Sequence, residues 1–138
     1  AGFGPGVPLH HQRRWHRLTG IALVLAIGLH VGGLWITSPP DVLDALLFRS
    51  PTSFSLWGVI AMWALLATAL LTRYRYTIGL RRWRGAHRTL AIAIVVPSIL
   101  HAVLIEGTME TWSKYAICAF ALGMSFVAIF ARPRNRRR

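Results

Sequence analysis

Four histidines lie in apolar stretches at a repeated spacing: fourteen residues separate His16 from His30, and fourteen separate His87 from His101. An α-helix turns about 100° and rises about 1.5 Å per residue, so the second imidazole of each pair lies about 40° round the axis and about 21 Å along it. Each helix thus presents two imidazoles on one face at two depths. Neutral imidazole is an axial ligand of haem iron, and two opposed imidazoles complete its coordination with no open position. A centre of that kind passes electrons rather than binding oxygen. Two such helices facing each other, His16 opposite His87 and His30 opposite His101, would hold two centres stacked one above the other. A lone histidine in an apolar helix is ordinarily a hydrogen-bonded core residue. Two pairs with one spacing favour ligation, because histidine within a membrane span is costly and usually marks function.

The elements that must position these residues are membrane spans. Hydrophobic residues make up 54% of the 138-residue chain, and its mean hydropathy is +0.48. Both values exceed what a domain with a fully solvated surface carries. Four runs approach the roughly 20 apolar residues that cross a bilayer. They cover about 15–36, 51–72, 85–105 and 112–131. The fold class expected is an all-α polytopic transmembrane bundle of four spans, forming one domain over 1–138. Residues 1–14, rich in Gly and Pro and then basic, read as a loop; they lack the apolar core of a signal peptide. Residues 41–48 mix acids with large aliphatics and suit a short helix in the interface. Ser50-Pro51 reads as the cap and first turn of the second span, 73–84 as a basic, aromatic connector, and Pro97 as a kink in the third. Trp15, Trp35, Trp57, Trp83 and Trp112 fall near span ends, where tryptophan anchors to the interface. Cys118 is the single cysteine, which excludes an internal disulfide and any cysteine-built metal site.

The net charge of +12 is explained by topology. With four spans, the segment before the first, the connector between the second and third, and the tail after the fourth share one side. They carry Arg13, Arg14 and Arg17; Arg73, Arg75, Arg81, Arg82, Arg84 and Arg88; and Arg132, Arg134, Arg136, Arg137 and Arg138. Only Arg49 and Lys114 fall on the other side, with all four acids, Asp41, Asp44, Glu106 and Glu110. Positive residues gather on the cytoplasmic side of membrane proteins, so both termini are expected in the cytoplasm, with no nucleic-acid partner. The expected location is a bacterial inner membrane.

Residues around the histidines suit a flat macrocycle. Four positions after the inner pair stand the small residues Gly20 and Ala91, which leave room for a porphyrin plane. Leu23, Ile27, Ile94 and Ser98 occupy the stripe between the levels. Arg13, Arg17, Arg84 and Arg88 stand beside the inner histidines, where guanidinium groups would pair with haem propionates. No Cys-x-x-Cys-His attachment sequence occurs, so the haems would be held without covalent bonds.

Taken together, Trp83-Arg84-Gly85-Ala86-His87-Arg88 opening one helix, His101 closing it, and His16-Arg17-Leu18-Thr19-Gly20 followed by His30 resemble the ferric reductase-like transmembrane domain. That family includes ferric reductases, NADPH oxidases and the haem-binding membrane subunit of methionine sulfoxide reductase systems. The resemblance implies two b-type haems with His16, His30, His87 and His101 as iron ligands. It implies electron transfer from a cytoplasmic donor to an acceptor outside, as an oxidoreductase component. Members have about six helices, so two further N-terminal helices are expected before the four read here. The flavin and nicotinamide module of ferric reductases has no counterpart in these 138 residues, which makes a flavoprotein reductase or a quinol the expected donor. The alternative reading is a haem-bearing anchor subunit of a larger redox complex with quinone chemistry.

Overall fold

The computed structural model describes residues 9–107 and 110–130. The structure is an all-α bundle in which α1 (Leu9–Thr37), α3 (Ser53–Arg73), α5 (Leu80–Leu104) and α6 (Thr111–Phe130) are the long helices. Each is long and apolar enough to cross a membrane, making this a multi-pass membrane protein. Two short helices, α2 (Pro39–Leu46) and α4 (Arg75–Ile78), complete the series, and no strand occurs among the described residues. The short helix expected at 41–48 is α2, opened by the prolines at its first two positions and ended after Leu46.

Three boundaries differ from expectation. Helix α1 starts at Leu9, so 9–14 are helical rather than loop: His10-His11-Gln12-Arg13-Arg14 contains no breaker, and Gln and Arg are good helix formers. Residues 1–8 of that expected loop lie outside the described residues, as do 131 and the basic tail. The connector 73–84 is largely helical too. It breaks at two single residues, Tyr74 between α3 and α4 and Gly79, whose φ of +87° suits glycine; α5 restarts at once, with the Trp83 amide donating to the Gly79 carbonyl at 2.9 Å. Helix α3 begins at Ser53, not at Pro51. Thr52 precedes it, but its hydroxyl bonds to Ser50 and Ser55 side chains instead of capping the helix.

Packing concentrates on one antiparallel pair. Helix α3 lies along α5, α6 packs on α5, and α1 joins through α2 and α3. Val59, Ala61, Ala64 and Leu65 of α3, Pro97 of α5 and Cys118 of α6 are buried. Small residues such as Ala61 and Ala64 allow close approach of two backbones where lipid offers no hydrophobic drive. No residue of the apolar window of α1 is buried inside the chain.

The far end of α5 is fastened by α6. Lys114 Nζ donates to the carbonyls of Ile105 at 2.8 Å and Val103 at 3.3 Å. The last carbonyls of a helix lack partners within it, and a cation there also complements the helix dipole. Lys114→Met is therefore expected to lower unfolding stability by about 1.5–3 kcal/mol, the usual worth of a hydrogen bond to a charged group. Thermal unfolding of the purified variant checks this.

Candidate functional site

His16 and His30 of α1 each meet their expected counterpart on α5. His16 and His87 have ring centroids 5.9 Å apart with an interplanar angle of 81°. His30 and His101 lie 6.5 Å apart at 77°. Matching first with first and second with second requires α1 and α5 to run in the same direction, and it sets the pairs at two levels. His16 and His30 are exposed, while His87 and His101 are half-buried.

These separations can be tested against a shared metal. Imidazole nitrogen binds first-row metals at about 2.0–2.1 Å, so two rings opposed across one ion have centroids roughly 6.3 Å apart. Both pairs fall close to that value. The near-perpendicular planes are no obstacle, because each ring can rotate about its own metal–nitrogen axis. Among the described residues no three His, Cys, Asp or Glu side chains converge to hold a metal by themselves. Two imidazoles are too few for a protein-only site but enough for an iron that receives its other ligands from a porphyrin.

The level of His30 and His101, expected to be the outer one, is supported from behind. His101 Nδ1 lies 2.8 Å from the carbonyl oxygen of Phe54 on α3. A carbonyl only accepts, so Nδ1 carries the proton and Nε2 of the neutral ring keeps a free lone pair. Metal-binding histidines are commonly oriented in this way, which also raises their basicity. The Phe54 ring stands 5.9 Å from His101, centroid to centroid.

The level of His16 and His87, expected to be the inner one, is built differently. Trp83, one turn before His87, stacks on its imidazole at 5.2 Å and 18°. Trp83, expected as an interface anchor, thus also has a contact within the chain, whereas Trp15 and Trp112 are strongly exposed. His87 Nδ1 and Trp83 Nε1 are buried with no hydrogen-bond partner. Polar atoms buried without partners are a costly arrangement.

The remaining expected site residues distribute as follows. Gly20 is exposed, and a Cβ added there would meet nothing within 4 Å, so the α1 surface four residues beyond His16 is open. Ala91 is half-buried on α5. Arg17, Arg84 and Arg88 are exposed and make no bond among the described residues. The acids are at the opposite ends of the spans, in α2 and around the connector between α5 and α6, so no Asp or Glu side chain lies beside these arginines. A recess of about 190 Å³ between α2 and α3, lined by Ala45, Phe48, Ser50, Pro51, Thr52, Ser53 and Leu56, contains no titratable side chain and is separate from the histidines.

Three contributors were not visible in the sequence as site residues: Trp83 as a stacking partner, the Phe54 carbonyl as an acceptor, and the α3 face behind His101. The Trp83–His87 spacing of four, one helical turn, was the available signal for the first. Comparison of the chain with protein-family models, curated proteins and solved structures finds no match.

Proposed function

We propose that this chain conducts electrons across a membrane through two b-type haems, held by His16 with His87 and by His30 with His101. The observation that carries the reading is the paired approach of the rings, 5.9 Å at one level and 6.5 Å at the other. When bound, each haem would supply one-electron chemistry. The chain's own part is to hold the four imidazoles at two depths, to shield the sites with apolar helices, and to orient His101 through Phe54. Arg17, Arg84 and Arg88 stand ready for propionates at the inner level, and Gly20 and Ala91 leave the macrocycle room. The charge asymmetry supports cytoplasmic termini in a bacterial plasma membrane. Electrons would come from a cytoplasmic flavoprotein or a quinol and leave to an acceptor outside, as in the ferric reductase-like family that the motifs resemble.

One observation favours the second reading, an anchor subunit with quinone chemistry. The orphaned nitrogens of Trp83 and His87 could both donate to an oxygen acceptor at the inner level, as a quinone carbonyl would require.

The deciding measurement is a reduced-minus-oxidised visible spectrum of the purified chain, with haem quantified against protein. Low-spin b-type bands and two extractable haems per chain are expected. A chain that takes up no haem when expressed with ample haem supply would end the proposal.

A further inference from the structure

Gly58 is the one glycine among those described where an added Cβ would meet anything within 4 Å. What it would meet is the His101 ring: Nδ1 at 2.8 Å, Cε1 at 2.9 Å and Cγ at 3.4 Å. Glycine in a helix interior is less stable than alanine, and Gly58 lies inside α3, five residues past its start. Its φ is not in the left-handed region, since only Phe48, Gly79 and Gly107 have positive φ among the described residues. Backbone freedom therefore does not explain the residue. Space does.

The same ring nitrogen is the one that donates to Phe54 at 2.8 Å. Phe54 and Gly58 are four apart, one turn of α3, and so stack on one face. The imidazole lies in the gap that the missing side chain leaves, with the turn's carbonyl as its acceptor. A methyl group at 58 would push on Nδ1 and Cε1 together. The ring is attached to α5 through only two rotatable bonds, so it could retreat only by turning away from the carbonyl.

We propose that Gly58 is the positioning residue of the outer site: its lack of a side chain seats His101 against the Phe54 carbonyl, fixing the Nδ1–H tautomer and freeing Nε2 for iron. The inner level has no such device, since His87 Nδ1 finds no partner. The inference about the tautomer stands on the protein alone; its consequence for iron rests on the haem reading.

Two measurements separate the two. In haem-free chain labelled with ¹⁵N-histidine, the imidazole nitrogen shifts report the tautomer. His101 is expected as Nδ1–H in the wild type and in Gly123→Ala, where the added methyl group meets nothing within 4 Å, and as a mixture or the Nε2–H form in Gly58→Ala. An unlocked tautomer in the wild type, or the same locked tautomer in Gly58→Ala, would overturn the proposal whether or not haem binds. In haem-loaded chain, Gly58→Ala should lose the outer haem or shift its electron paramagnetic resonance signal and raise its midpoint potential, as expected when the basicity of the ligand falls. The inner haem's unchanged signal serves as the control for folding. Two haems with wild-type signals in Gly58→Ala would also count against the proposal, whereas a locked tautomer in a wild type that takes no haem would sink the haem reading alone.

Discussion

Replacing His101 by alanine is expected to remove one of two haems and leave the other's spectrum intact, and His87→Ala should do the same for the opposite haem. The expectation follows from the pairing of rings, each histidine of α5 having one counterpart on α1. A six-coordinate low-spin iron that loses one of its two protein ligands is held by one bond in place of two, and haem without a covalent link then dissociates or turns high-spin. Haem content should therefore fall by about half in each single variant and to near zero in the double variant, since sites about 21 Å apart behave independently. His16→Ala should reproduce the His87→Ala spectrum, and His30→Ala that of His101→Ala. A crossed pattern, in which His16→Ala matched His101→Ala, would refute the parallel arrangement of α1 and α5. Unchanged spectra in all four variants would show that the iron, if present, is held elsewhere.

That pairing was legible in the sequence because it depends on helix periodicity alone. Fourteen residues between ligands on each of two spans are enough to predict levels and faces, and the even number of crossings between 16 and 87 is enough to predict direction. The four spans could be read for the same reason, since crossing a bilayer imposes a length and a composition that few other constraints imitate. The supports of the site were not legible. Phe54 contributes its backbone carbonyl, which every residue has, so no side-chain pattern announces it. Gly58 is one glycine among twelve in the chain, and only the approach of α5 to α3 separates it from glycines that face open space. Trp83 sits where tryptophan anchors to an interface, and its contact with His87 depends on the helix beginning five residues earlier than the hydropathy suggests. Membrane hydropathy marks the apolar window of a helix, whereas the arginine-rich turns of α5 continue beyond it.

The charge at the inner end makes the last expectation. NADPH carries a hydride, two electrons at once, while bis-histidine haem accepts one at a time, so a flavin must stand between them. These 138 residues hold no Gly-rich nucleotide-binding loop. NADPH added to the haem-loaded 138-residue chain is expected to leave the haems oxidised, and NADPH with a flavin reductase should reduce them. The end of the bundle that carries His16 and His87 would offer the proposed donor exposed arginines on α1 and α5, among them Arg13, Arg17, Arg84 and Arg88, and the four acids of the chain are at the other end. A field of one sign raises encounter rates by roughly ten- to a thousandfold at low ionic strength. Salt shortens its reach from about 30 Å at 0.01 M to about 10 Å at 0.1 M. With an acidic reductase, the rate of haem reduction should therefore fall on the order of tenfold across that range. Replacing Arg84 and Arg88 by glutamine should lower the low-salt rate and flatten the salt dependence. Because both residues also face the expected propionates, haem content is measured first, and rates are compared per bound haem. A reduction rate indifferent to salt would leave the arginines the single role of fixing topology against anionic lipid. Rapid reduction by NADPH with no added protein or flavin would overturn this account of how the inner haem receives electrons.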